Sequence, residues 1–375
     1  MIFRRVLDEI SSNQGRRKEG KLNCIPWLDM PKFSTVIPGV QKEKYIEVSA
    51  SPKVGKTKIT DFMFVHQVMK FILSDKNTSN FKIKIPYFSL EVSKEQKIRE
   101  VISYKLFEKG IELSPQNMLS LFNDYVLSDE LKKNIESIEP YIEEFEKHVI
   151  YIDNIRNSYG IYKYVRDLCE SLGKHYDKEG NVIELRSILN ARENKDEKFL
   201  FKMDHFKYND SEQYVEPITD HISLLNPQKD EGTVHNAINN FSNNHCLSMR
   251  DKYKCAVINI HQQVATQEEL KYSNGKLLID TLRPSVDGLA DSKYTSKDVN
   301  ILLSLFAPYR AKIPKYPIYD GYDINKLGDK YRELAIVLNR DGGSFINVDL
   351  LFNGATGHFK ELPKPSEINY ETLKF

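Results

Sequence analysis

Gly55, Lys56 and Thr57 stand together within "IEVSASPKVGKTKITDFM", residues 46–63, between an apolar run and a helical pattern. Those residue types in that order suit a phosphorylated ligand. Backbone N–H groups at the start of a helix point at an anion, and the helix dipole adds to the attraction. Gly55 lets the backbone come close to a phosphate, Lys56 supplies a positive charge for terminal phosphates, and Thr57 offers a hydroxyl to Mg²⁺. The cradle would be Ala50, Ser51, Pro52, Lys53, Val54, Gly55, Lys56 and Thr57, with Pro52 holding a turn. Ala50 stands where the first glycine of such loops usually stands.

A metal at this loop also needs a carboxylate at the end of a neighbouring strand. Two aspartates qualify by context: Asp153 in "VIYIDN" and Asp204 in "FLFKMDHF". Asp153 has the cleaner apolar lead-in, and Lys202 is out of place in a strand covered on both faces. The cysteines, Cys24, Cys169, Cys246 and Cys255, form no C-x-x-C pair, which argues against a zinc ribbon or a redox motif.

The elements that must position these groups follow from the patterning. "KYIEVSA" predicts a strand over 44–50, then the loop, then a helix through "KTKITDFMFVHQVMKFIL". "FKIKIPYFSLE" predicts a second strand followed by the helix "SKEQKIREVISYKLFEKG". "PYIEEFEKHVIYIDN" reads as helix then strand, and "SYGIYKYVRDLCESLGKHY" as helix. "DKEGN" and "NARENKDEK" read as a turn and a charged loop, both surface insertions. "KFLFKMDHF" and "YKCAVINIHQQ" predict further strands, and "NRDGGS" a hairpin turn between two late strands. Strands alternating with helices indicate an α/β fold with a mainly parallel central sheet flanked by helices and a C-terminal β-hairpin. Near the start, Ile2, Phe3, Val6, Leu7 and Ile10 share one helical face, followed by the polar stretch "NQGRRKEGK".

The 375 residues are 40% hydrophobic, enough for a sizeable core, so disorder is not the default reading. The net charge of +1 means that a nucleic-acid binder would have to concentrate its basic residues locally. No apolar signal core or membrane-length run is present, which favours a soluble protein of a reducing compartment, without membrane contact.

"SASPKVGKT" resembles the phosphate loop of the DnaB-type replicative helicases, in which alanine or glycine opens the motif and proline stands third. The resemblance runs in the family's order over roughly residues 22–362, from "IPWLDMPKFSTVIPGVQKEKYIEVSA" onward. "YFSLEVSKEQKIRE" is similar to the family's strand and helix whose glutamate polarises the attacking water, which implies that role for Glu91. "CAVINIHQQVATQEEL" resembles the strand whose glutamine links the γ-phosphate to DNA loops, implying Gln262. "YIDNIRNSYGIYKYVRDL" resembles the strand and helix ahead of the metal-aspartate strand. The resemblance therefore assigns the metal, with Thr57, to Asp204, with Asp153 as the alternative. "ELAIVLNRDGGSFINVDLLFNGATGHFKEL" is similar to the segment whose arginine reaches a neighbouring subunit's nucleotide, implying Arg340; the family's lysine two positions earlier is Leu338 here.

The resemblance implies a RecA-like P-loop NTPase core at 22–362, a subunit-docking helix and linker at 1–21, and a tail at 363–375. It lacks the family's N-terminal primase-contacting domain, a reduction that would suit a phage. The implied activity is hydrolysis of ATP with Mg²⁺ by a cytoplasmic hexameric ring that moves on single-stranded DNA during replication, with a primase or loader as possible partner. Lys207, Lys293 and Lys297 are the candidate DNA contacts, with a central loop expected in the segment after Asp204. Two other readings share much of this sequence: a RecA-like recombinase, and a nucleotide-binding assembly factor that does not unwind.

Overall fold

The nine-membered path of the main sheet is built outward from the strand ahead of the phosphate loop. The computed structural model describes residues 2–120, 126–264, 272–273, 276–277, 282–317, 320–344 and 346–375. Helix α1 (Ile2–Lys18) leads to β1 (Lys44–Ala50), whose last six residues are buried, as a strand covered on both faces requires. After the loop, α2 (Lys56–Thr60) runs through a π-helical stretch, Asp61–His66, into α3 (Gln67–Ile72). Then come β2 (Lys82–Ser89), α4 (Lys94–Glu108), the short helices α5 (Pro115–Met118), α6 (Asp129–Glu136) and α7 (Glu139–Glu146), β3 (Val149–Ile152) and α8 (Ser158–Leu172).

Next is a small unit: β4 (Gly173–Tyr176), β5 (Val182–Ile183), α9 (Leu185–Glu193), α10 (Glu197–Leu200) and β6 (His205–Tyr208). Its strands form a separate antiparallel sheet in the order β5-β4-β6. The chain rejoins the main sheet with β7 (Gln213–Val215) and β8 (Ile218–Asp220), and continues through α11 (Val234–Asn240), α12 (Leu247–Tyr253) and β9 (Ala256–Gln262). The short β10 (Tyr272–Ser273) and β11 (Lys276–Leu277) precede β12 (Ile301–Phe306), β13 (Lys315–Tyr316), β14 (Tyr322–Asp323) and α13 (Ile324–Leu327). The hairpin β15 (Tyr331–Asn339) and β16 (Ile346–Asn353) and the strand β17 (His358–Glu361) complete it.

The main sheet runs β17-β16-β15-β12-β1-β9-β8-β2-β3, with β7 also paired to β2. From β12 to β3 every pair is parallel; β15, β16 and β17 extend it antiparallel. The fold is thus α/β with a large, mainly parallel sheet. Parallel order puts the C-terminal ends of β1, β9, β8 and β2 side by side on one edge, the usual place for a ligand in such sheets.

Two expected elements differ. "NARENKDEK" is not a loop: it falls in α9 and the start of α10. "KFLFKMDHF" is not a central strand: Glu197–Leu200 is helical, and only His205 onward is extended, in the small sheet. Exposed Lys202 is the physical reason, since a two-sided buried strand has no place for it.

On one face of the sheet, Tyr104 of α4 lies between two imidazoles. His66 stacks on one side at 3.7 Å and His358 on the other at 3.8 Å, each 7° from parallel. At the N-terminal end, Phe3, Val6, Leu7 and Ile10 of α1 are exposed. The exit of α1 is fixed where both terminal guanidinium nitrogens of Arg16 donate to the Glu212 carboxylate.

Candidate nucleotide site at the strand ends

Gly55 begins α2 with φ at +109°, a conformation that side-chain-bearing residues rarely adopt. A Cβ there would also meet the Phe352 ring at 3.4 Å. Ala50 needs no such freedom, because it is the last residue of β1 and pairs regularly with Leu305 and Gln262. The loop does contain a side-chain-bearing residue at positive φ, Lys53 at +62°. Such a conformation costs about 1 kcal/mol or more and persists only where surroundings impose it.

The surroundings include Arg332. This arginine is buried at the start of β15, and its Nε donates to the carbonyl of Val54 at 2.7 Å. Its Nη1 donates to the carbonyls of Asp329 and Tyr331, and its guanidinium lies 4.8 Å from the Phe352 ring centre. The loop is therefore held from behind by a residue far away in sequence.

Around the front, the strand ends converge. Lys56 is buried, and its ammonium lies 3.5 Å from Gln262 Oε1 at the end of β9. It makes no ion pair among the described residues, so a buried positive charge faces the loop without an acid partner. That fits a triphosphate. Thr57 donates its hydroxyl to Asp220 Oδ1 at 3.1 Å, at the end of β8. A threonine hydroxyl beside a strand-end carboxylate is a donor set suited to Mg²⁺, a hard cation that takes oxygen ligands. Glu91 follows β2 and is exposed; Leu90 donates its backbone N–H to the Asp220 carbonyl at 2.7 Å, so Glu91 stands beside that strand end.

Asp220, not Asp204, is thus brought to Thr57. Asp204 lies just before β6 in the small sheet, where its carboxylate meets His205 Nδ1 at 3.0 Å. Asp153 follows β3 at the far edge of the sheet and accepts from the Lys94 backbone N–H. Asp220 was legible in principle: "PITDHI" places an aspartate after a β-branched pair. Pro217 and Glu216 ahead of it read as strand breakers, yet both belong to a short interrupted strand beside β2.

Behind Asp220 is a second group that sequence reasoning missed. Lys97 of α4 is fully buried, and Tyr87 of β2 donates its hydroxyl to Asp220 Oδ2 at 3.1 Å. Burial opposes charge on the Lys97 ammonium, but Asp61, Asp220 and Glu100 more than offset it, so its pKa is raised. Beside Gln262, buried His261 places Nδ1 2.8 Å from Glu47 Oε1 and Nε2 2.5 Å from the Ala290 carbonyl. Both ring nitrogens face acceptors. Burial alone would lower the pKa, but Glu47 chiefly holds it above the ordinary histidine value. The end of β9 is also bound to residues 288–290 through the Gln262 carbonyl and the Val264 N–H.

Arg340 follows β15 at the opposite edge of the sheet from the loop. Its Nε donates to the Val299 carbonyl at 2.8 Å, and its Nη2 to those of Lys297 and Ser296. Asn339 pairs with Ile301, four strand residues from the loop end of β12, so Arg340 cannot touch its own subunit's loop. Lys207 is in β6 of the small sheet, with its ammonium 5.5 Å from the Tyr176 ring. Lys297 lies over Tyr294 at 4.5 Å. The Lys293 side chain lies outside the described residues. The segment after Asp204 is, in its first half, strands β6, β7 and β8, leaving only its later part as a loop.

No family model matches the sequence, and no curated protein does. Solved structures do match. A DnaB-like replicative helicase, whose structure was described with its interactions with primase, is 18% identical with a TM-score of 0.62, over 96% of this chain and 67% of that one. The ATPase domain of a phage helicase is 17% identical with a TM-score of 0.61, over 95% of this chain and 99% of that one. The chain therefore has the RecA-like fold of DnaB-type helicase ATPase domains. Among the described residues, no helix is long and apolar enough to cross a membrane.

Proposed function

We propose that this protein is a Mg²⁺-dependent ATP hydrolase that works as a DnaB-type DNA helicase, a hexameric ring moving on single-stranded DNA in the cytoplasm. The observation that carries the reading is the convergence of Lys56, Thr57, Asp220, Gln262 and Glu91 at the ends of β1, β9, β8 and β2. In this reading the backbone of residues 51–57 and the Lys56 ammonium hold the phosphates. Thr57 and Asp220 hold Mg²⁺, which when bound neutralises charge on the transferred phosphoryl group. Glu91, exposed beside Asp220, accepts a hydrogen bond from the attacking water and orients it. Gln262 senses the terminal phosphate through its contact with Lys56 and passes its state into residues 288–290.

Arg340 acts in the next subunit of the ring, because its own loop is out of reach. The exposed face Phe3, Val6, Leu7 and Ile10 gives α1 an apolar surface for that neighbour, and a primase or loader is the proposed accessory partner. Lys297 and Lys293 are proposed to face DNA; Lys207, in the small sheet, is the weaker candidate of the three.

The test is ATP hydrolysis by purified protein with and without single-stranded DNA, beside Lys56→Ala. Stimulation by DNA that vanishes in the variant supports a DNA-linked motor. One observation favours a second reading, an assembly factor that does not unwind: Arg340 is bound to three carbonyls and Leu338 replaces the family's lysine. Hydrolysis indifferent to DNA would select it.

A further inference from the structure

The carboxylate of Asp220 is restrained at both oxygens. Oδ1 accepts from Thr57, while Oδ2 accepts from Tyr87 and lies 3.5 Å from the Lys97 ammonium. Lys97 in turn donates to both oxygens of Asp61, at 3.0 and 3.3 Å, and to the Tyr87 hydroxyl at 2.8 Å. Glu100 is 3.9 Å away and pairs with Lys58 at 3.0 Å. Two cations thus face three carboxylates. Rotating Asp220 would break a hydrogen bond on one side or the other.

A lysine in this place has two physical effects. It orients Asp220 through Oδ2, and its charge opposes a second cation at the same carboxylate. At such separations the repulsion is on the order of a few kcal/mol even with strong screening. Asp61 offsets part of the charge, but it lies on the far side of Lys97 from the Thr57 contact.

We propose that Lys97, acting through Asp220 and Tyr87, is a positioning residue that makes the divalent-cation site depend on the nucleotide: Thr57 and Asp220 hold the ion only together with the triphosphate. The inference rests on the nucleotide reading of the loop. Without phosphate oxygens the protein offers the ion one hydroxyl and one carboxylate already opposed by an ammonium. With them, the triphosphate supplies the missing negative charge, and the fixed Asp220 presents Oδ1 beside Thr57. Loss of nucleotide then releases the metal as well.

The experiment is Mn²⁺ binding followed by electron paramagnetic resonance, with and without a non-hydrolysable ATP analogue. It compares wild type, Tyr87→Phe, and the double variant Lys97→Met with Asp61→Leu, which removes both buried charges together. Wild type is expected to bind Mn²⁺ only with the analogue. The double variant is expected to bind Mn²⁺ at least about tenfold more tightly without it. Tyr87→Phe keeps every charge, so the expected result is weaker Mn²⁺ binding with the analogue and no gain without it. Should the double variant fail to fold, Tyr87→Phe still decides the orienting role. Wild-type-like Mn²⁺ behaviour in Tyr87→Phe or in a folded double variant overturns the proposal, leaving Lys97 as a partner of Asp61 alone. If wild type binds neither the analogue nor Mn²⁺ with it, the nucleotide reading itself falls; analogue binding, measured separately by calorimetry, distinguishes the two failures.

Discussion

Arg332 donates to the carbonyl of Val54, so the hairpin strand β15 grips the phosphate loop three residues ahead of Thr57. The guanidinium fills a buried space bounded by that carbonyl, two others and the Phe352 ring. Arg332→Leu leaves three carbonyls short of a donor, and the expected loss of stability is about 3 kcal/mol. Nucleotide affinity should fall by more than about tenfold, because the loop loses its fixed shape. Thermal melting and titration with a fluorescent ATP analogue check both. An intact affinity would show that the loop holds its shape without Arg332.

Asp220 and Asp204 make opposite predictions. Asp220→Asn keeps the size of the side chain but removes the charge beside Thr57, and kcat for ATP should drop by about 100-fold or more. Asp204→Asn, in the small sheet, should leave kcat within about twofold. Steady-state hydrolysis of the two purified variants separates them. The reverse pattern would return the metal role to Asp204.

Arg340 is tested by mixing subunits. Arg340→Ala and Lys56→Ala should each abolish hydrolysis as pure proteins. Mixed before assembly, they should regain part of it, since some interfaces then join an intact Lys56 to an intact Arg340. No recovery on mixing would place both residues in one subunit's site or give Arg340 a purely structural role.

The stack of His66, Tyr104 and His358 makes stability depend on pH. Burial, reinforced by mutual repulsion and nearby lysines, lowers both imidazole pKa values, that of His358 to about 4. In the unfolded chain each titrates near 6.5. The unfolded state therefore binds protons first as pH falls, and stability is lost progressively below pH 6.5. The slope is roughly 1.4 kcal/mol per pH unit for each histidine, levelling for His358 near its folded value. Urea midpoints at pH 7 and pH 5 should differ accordingly. His358→Phe should flatten the dependence, and an unchanged slope would remove His358 from the account.

The phosphate loop was legible because its chemistry is local: strand, glycine, lysine and threonine are contiguous, and the strand's apolar run is long. Glu91 and Gln262 were legible as ends of predicted strands. Asp220 was not, because its strand is three residues long, follows Glu216 and Pro217, and comes after the small unit of residues 173–208. That unit displaced the expected strand onto "FLFKMDHF". The Lys97 and Arg332 contacts were illegible for another reason. Each links residues that only the folded sheet brings together, and a charged residue in an amphipathic helix or a strand start reads as surface until its burial is known.

Arg332 and Arg340 sit at the two ends of one strand, about 26 Å apart at the rise of an extended chain. The first is bonded to this subunit's own phosphate loop, and the second stands at the edge proposed to face a neighbour. Hydrogen-bonded on both sides to β12 and β16 through most of its length, β15 resists bending. In the proposed ring it is a strut between successive fuel sites. A shift of one loop on losing its phosphate would be delivered, nearly undiminished, as a shift of the arginine at the next. Six such struts in a circle would make the order of firing a mechanical property of the ring.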